Sequence, residues 1–90
     1  MISAYILDDE RLAVQWLTRL LEATGRVRIA GSATDPEAAL AFLRDHAVDV
    51  LFLDVQMPGL TGFDLLERLD RQVVVIFTTA FDRYALDAFA

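Results

Sequence analysis

Three aspartates and a pair of threonines are the residues of this chain that could do chemistry. Asp8 and Asp9 follow the apolar run Ile2–Leu7, Asp54 follows Val50-Leu51-Phe52-Leu53, and Thr78 and Thr79 close the run that begins at Val73. Asp54 has no basic residue beside it, and a lone buried carboxylate is costly unless something pairs with it. In open α/β sheets, ligands sit outside the carboxyl ends of the strands, where the strand order reverses. If the order is 2-1-3-4, the first and third strands are neighbours, and Asp8, Asp9 and Asp54 converge on one crevice with the threonines at the same end. At ~4 Å and an effective dielectric near 20, each pair of carboxylates repels by about 4 kcal/mol. Either their pKa values rise or a cation holds them. An all-oxygen donor set suits Mg²⁺, which also keeps waters and recruits phosphate oxygens. A carboxylate beside such an ion can act as a nucleophile toward phosphorus, and a threonine hydroxyl could hydrogen-bond a phosphoryl oxygen.

A plainer reading stands beside this one. An isolated Asp after a strand is more often a helix cap or turn residue than a catalyst, and Asp8-Asp9-Glu10 could simply start a helix, favoured by its dipole. Three acids and a threonine at one end of three adjacent strands weaken that reading.

The elements that must position these groups follow from pattern. Ile2–Leu7 is short, bulky and apolar, which suits a buried strand. From Glu10 to about Thr24, Ala13, Trp16, Leu17, Leu20 and Leu21 recur at helical spacing, with Arg11, Gln15, Arg19 and Glu22 mostly opposite. That predicts an amphipathic helix ended by Gly25. Val27-Arg28-Ile29-Ala30 reads as a second strand closed near Gly31. Thr34-Asp35-Pro36-Glu37 follows the capping-box pattern and starts a helix running to about His46. Val48–Leu53 is the third strand, Thr61 to about Leu69 a third helix with Phe63, Leu65, Leu66 and Leu69 as its apolar side, and Val73–Thr78 a fourth strand. Phe81–Ala90 begins a fourth helix. Alternating strands and helices with short connections predict a parallel sheet with helices on both faces, an α/β doubly wound domain.

Composition narrows the function classes. Ninety residues allow one domain, here 1–90, with a core of its own. The hydrophobic content of 56% exceeds the roughly 45–50% that is usual, yet no apolar run approaches the ~18 residues of a membrane span. No signal peptide opens the chain, so a soluble cytoplasmic protein with no membrane contact is expected. There is no cysteine, which removes disulfides and thiolate metal sites. A net charge of −6 argues against non-specific nucleic-acid binding. All eight basic residues are arginine, so the chain contains no lysine.

Three stretches carry a family resemblance: Ile6-Leu7-Asp8-Asp9-Glu10, Leu53-Asp54-Val55-Gln56-Met57-Pro58-Gly59-Leu60-Thr61-Gly62, and Phe77-Thr78-Thr79-Ala80. In order and spacing they resemble the signature stretches of response-regulator receiver domains, and the end, IFTTAFDRYALDAFA, looks most like receivers of LytTR-type regulators. The resemblance implies a flavodoxin-like fold of order 2-1-3-4. It makes Asp54 the phosphoacceptor and Asp8 and Asp9 the acidic pair that holds Mg²⁺ together with Asp54, while Gln56 contributes its backbone carbonyl. Thr79, rather than Thr78, becomes the switch hydroxyl, because it directly precedes Ala80. Met57-Pro58-Gly59 becomes the turn after the phosphorylation site. It further implies a histidine kinase as phosphodonor, and contact with DNA only through a separate output domain.

The sequence departs from the family at its end. Receivers have a fifth strand carrying a lysine that pairs with the phosphoryl group, then a fifth helix; here the residues stop within the fourth helix. We therefore expect a receiver truncated before its fifth strand, with weak Mg²⁺ binding and with phosphorylation slow or uncoupled from switching. The uncovered edge of Val73–Thr78 and apolar surface near Trp16 or Leu20 predict self-association as a dimer or higher homo-oligomer.

Two other functions fit parts of the pattern. A Mg²⁺-dependent phosphohydrolase of the aspartyl-phosphate kind is one, though such enzymes usually carry D-x-D at one strand end and Asp54 is followed by Val55-Gln56. A phosphate-independent interaction module is the other, favoured by the absent lysine. The remaining distinctive residues have ordinary explanations: His46 reads as a solvated helix-terminal residue, and Trp16 and Phe42 as core or helix-packing groups. Phe81, Tyr84 and Phe89 fit a signalling surface or packing on the sheet equally well.

Overall fold

The computed structural model describes residues 1–54, 62–69 and 71–78. In these ranges the chain runs β1 (Ile2–Leu7), α1 (Arg11–Ala23), β2 (Val27–Ala33), α2 (Pro36–Asp45), β3 (Val50–Asp54), α3 (Gly62–Arg68) and β4 (Val74–Thr78). The four strands form one sheet in the order β2-β1-β3-β4, every pair parallel. The expected fourth helix over Phe81–Ala90 lies outside the described residues.

A doubly wound sheet needs apolar residues on both faces, and β1 and β3 supply them by alternation. Tyr5, Leu7, Leu51 and Leu53 point to one side, where they pack with Ala39, Leu40 and Leu43 of α2 and Leu65 of α3. Ala4, Ile6, Val50 and Phe52 point to the other, against Val14, Leu17 and Leu21 of α1. Parallel strands require crossovers, and placing α1 on one face and α2 and α3 on the other meets that requirement.

The caps fix where elements turn. Gly25 adopts φ 72° directly after the α1 C-cap, and its N–H bonds to the carbonyl of Glu22 at 3.1 Å. At α2 the capping residue is Asp35 rather than the Thr34 that the capping-box pattern implies. The Asp35 carboxylate accepts the N–H of Ala38 at 3.1 Å, and Pro36 opens the helix. Glu37 turns instead to Arg68 of α3, at 2.8 Å, so no reciprocal box forms.

Two further expectations need correction. β2 continues past Gly31 to Ala33, because β1 goes on pairing after a register shift that sets Ala4 opposite Ile29 and Tyr5 opposite Gly31. Trp16 is not a core group. It is 64% exposed, with Leu12 and Leu20 also exposed, and the buried residue of α1 is Val14. The apolar residues of α1 cover more than half its circumference, and the sheet takes the arc through Val14, Leu17 and Leu21. Phe42 does pack, 4.8 Å from Tyr5 between ring centroids, and His46 is an exposed C-cap stacked on it at 4.3 Å.

Candidate metal centre

Parallel strands all deliver their carboxyl ends to one edge of the sheet. Register then decides which side chains meet there: Leu7 stands opposite Leu53, and Asp54 opposite Thr78. Asp54 is thus the last residue of the fully buried strand β3, only 5% exposed, and Asp8 and Asp9 are the first residues beyond β1. One carboxylate oxygen from each of Asp8, Asp9 and Asp54 lies within 4.8 Å of the others.

The plainer reading of these acids holds for half of one side chain. Asp8 Oδ1 accepts the N–H of Glu10 at 2.9 Å, a turn contact that leads into α1. Glu10 is the N-cap of α1 and makes no side-chain cap bond, so the acids do not serve to cap the helix through that residue. The Glu10 amide was not foreseen from sequence. An Asp two residues before a helix cap is the signal that could have found it, since Asx side chains bond backbone two residues on. Its effect is to tie one oxygen of the Asp8 carboxylate to the backbone that leads into α1.

Electrostatics follow the geometry. Burial pushes the Asp8 carboxyl above its ordinary value; the Glu10 N–H opposes the rise, and the adjacent Asp9 carboxyl adds to it. A carboxyl raised by burial beside a like charge, at the end of a strand, is a candidate functional group.

The donor set fits Mg²⁺ on chemical grounds. Three hard carboxylate oxygens converge, the sequence has no cysteine, and His46 sits at the end of α2 rather than beside the acids. Gln56 and Thr79, and the turn Met57-Pro58-Gly59, lie outside the described residues. Thr78 is half-buried at the same strand end as Asp54. None of the described helices is long and apolar enough to cross a membrane.

Residues 4–90 match the family described as response regulator receiver domain. An uncharacterised response regulatory protein of Vibrio parahaemolyticus is 42% identical over 91 residues, covering 99% of this chain and 38% of that protein. The sensory transduction protein LytT of Bacillus anthracis is 39% identical over 92 residues, covering 99% of this chain and 37% of its own length. This chain therefore spans well under half the length of the relatives it matches. Among solved structures, the response regulatory domain of mrkE from Klebsiella pneumoniae superposes with a TM-score of 0.77 at 33% identity, over 98% of this chain and 75% of that one. CheY of Borrelia burgdorferi, solved with CheX, BeF₃ and Mg²⁺, gives 0.78 at 27% identity over 94% of this chain and 66% of that one.

Proposed function

Because the chain belongs to the response-regulator receiver family, we propose that it is a phosphoacceptor switch that takes a phosphoryl group onto Asp54 from a histidine kinase. The observation that carries this reading is the meeting of Asp8, Asp9 and Asp54 within 4.8 Å at one sheet edge. Receiver domains bind Mg²⁺ at an acidic pocket and act as regulatory domains rather than enzymes. On this reading Asp8, Asp9, the Asp54 carboxylate and the Gln56 carbonyl hold the ion here. When bound, Mg²⁺ offsets the charge of the three acids and of the incoming phosphoryl group.

The chain's own groups then have distinct parts. An Asp54 oxygen attacks phosphorus of the phosphohistidine, the new P–O bond forms as the P–N bond breaks, and the imidazole nitrogen keeps the electron pair and is reprotonated from solvent. The buried backbone of β3 holds Asp54 at the strand end, and the Glu10 amide ties one oxygen of Asp8 to the backbone that leads into α1. The Thr79 hydroxyl donates a hydrogen bond to a phosphoryl oxygen, and partners read the result as a shift between two conformations. The second reading is a phosphate-independent interaction module that keeps the acids but not the switch.

The chain works in the cytoplasm, self-associates, and meets DNA only through an output domain elsewhere in a longer protein. Beryllofluoride with Mg²⁺, followed by ¹⁹F NMR, tests the first reading. A bound resonance that needs Mg²⁺ and vanishes in Asp54→Asn supports it; no bound resonance favours the second. Turnover of a generic phosphatase substrate would instead indicate a phosphohydrolase.

A further inference from the structure

β2 is an edge of the sheet. Among the described residues it pairs only with β1, and Thr79 onward continues from β4 at the opposite edge. Natural edge strands are blunted by being short or by carrying Lys or Pro. β2, at seven residues, is the longest of the four strands, has neither residue and bears one charge, Arg28. The carbonyls of Arg26 and Ala33 both point inward, accepting the N–H groups of Ile2 and Asp8 at 3.0 and 3.2 Å. Alternate residues of a strand face alternate neighbours, so two inward residues should stand an even number apart. The register shift at Ala30 absorbs the odd step. Val27 and Ile29 before the shift, and Ser32 and Thr34 after it, therefore turn their N–H and carbonyl groups outward.

α1 carries charges that match this edge. It lies over β1 and β2, with Leu17 and Leu21 in one cluster with Ala4, Ile6, Val27 and Ile29. The β1-α1-β2 crossover is right-handed, and a helix advances about 100° per residue. Measured from the buried Val14, Leu17 and Leu20 then turn toward β3, and Arg11, Gln15, Arg19 and Glu22 turn toward the free edge of β2. These four are exposed, and among the described residues none of them takes part in an ion pair.

We propose that two copies of this chain pair β2 to β2, antiparallel about a two-fold axis normal to the sheet, joining two four-stranded sheets into one. Setting Ile29 opposite Ser32 and Val27 opposite Thr34 joins outward groups to outward groups, with each pair of side chains on one face. The same register sets the exposed Arg26 of each copy opposite the exposed Asp35 of the other. Strands stand about 4.8 Å apart, so two helices each centred between β1 and β2 lie about 10 Å apart, at packing distance. They run antiparallel, which brings Arg11 of each beside Glu22 of the other, and Gln15 beside Arg19. Opposite charges at the two ends of strand and helix make the edge self-complementary under this rotation. The proposal rests on the self-association inferred above and assigns it a surface.

Sedimentation equilibrium across a concentration series compares the parent with Arg11→Glu, Glu22→Arg, the combined variant and Ser32→Pro. Both charge changes suit the helix dipole, an acid in the first turn and a base in the last, so circular dichroism stays unchanged. Ser32→Pro removes an outward N–H and leaves the ladder to β1 its donors. The expected result is a dimer at micromolar concentration, weakened at least tenfold in each single charge variant, restored in the combined variant and lost in Ser32→Pro. Should Ser32→Pro also lose its circular dichroism, the charge variants decide. A dimer that keeps its affinity in either single charge variant, or that the combined variant fails to restore, overturns this arrangement and leaves self-association standing. A monomer at every concentration overturns both.

Discussion

The carboxylate of Asp49 accepts two hydrogen bonds from Ser3, 46 residues away: the backbone N–H at 2.8 Å and the hydroxyl at 3.2 Å. The Asp49 N–H in turn reaches the Ser3 carbonyl at 2.9 Å. This clasp joins the amino ends of β1 and β3, the two strands whose carboxyl ends bring the acids together. The Ser3 backbone N–H, then its hydroxyl, hold the Asp49 carboxyl below its ordinary value of 3.8. A depressed folded-state pKa stabilises the fold above the unfolded value, and the stabilisation is lost as pH falls through the folded one. Asp49→Asn is therefore expected to be less stable than the parent at pH 7. Its stability should also decline less than the parent's below pH 3.8. Urea unfolding at a series of pH values measures both; equal acid slopes in the two proteins would contradict the assignment.

Asp8 has the opposite sign. Burial raises its folded-state pKa above the ordinary 3.8, so the unfolded chain ionises first. The fold loses stability as pH climbs from the unfolded value through the raised one, and the loss persists at neutral pH. Three thermal outcomes follow. Without divalent ion, Asp8→Asn should melt higher than the parent at pH 7. With Mg²⁺ at ten times its Kd, the parent should gain about 1.4 kcal/mol and Asp8→Asn little. Protons compete with the cation, so the Mg²⁺ effect in the parent should shrink as pH approaches the raised value. Scanning calorimetry with and without Mg²⁺ reads all three.

The legible parts of this chain are those where one interaction decides. β1 and β3 are short apolar runs ended by acids, and burial on both faces leaves no other assignment for Ile6, Leu7, Leu51 and Leu53, all nearly inaccessible. The convergence of Asp8, Asp9 and Asp54 follows from strand ends and the order 2-1-3-4, which the sheet has. Where two choices were close in energy, sequence alone decided poorly. Thr34 and Asp35 are both good capping residues, and only the backbone path selects Asp35. Trp16 and Leu20 share the predicted stripe with Leu17 and Leu21, whereas Val14, which the sheet buries, was not among its residues; the pattern does not say which part of a wide apolar arc meets the sheet. β2 runs on through Gly31-Ser32-Ala33, poor strand formers held by pairing with β1, a tertiary effect that local propensity cannot register.

The two capping candidates can be separated directly. Asp35 supplies the oxygen that receives the Ala38 N–H, and no such bond is made by Thr34. Losing an N-cap acceptor typically costs about 1 kcal/mol. Asp35→Ala should lower unfolding stability by that amount, and Thr34→Ala should stay within ~0.5 kcal/mol of the parent, as exposed substitutions away from such features do. Equal losses in chemical denaturation would restore Thr34 as the cap.

Gly31 tests the packing that lets β2 continue. A Cβ built there would lie 2.9 Å from Tyr5 Cε2, 3.3 Å from Cδ2 and 3.4 Å from Phe42 Cε2. The Tyr5 ring is 2% exposed and packed on Phe42, so it has little room to retreat. The backbone at Gly31 has no positive φ, which leaves this collision as the obstacle to alanine. Overpacking of this kind costs roughly 1–3 kcal/mol, so Gly31→Ala should destabilise the chain by that much. If the clash is the cause, Gly31→Ala combined with Tyr5→Leu should lose less than the sum of the two single losses, because leucine has no atom at the ring edge. A double-mutant cycle by urea denaturation measures the difference, and strict additivity would refute the clash.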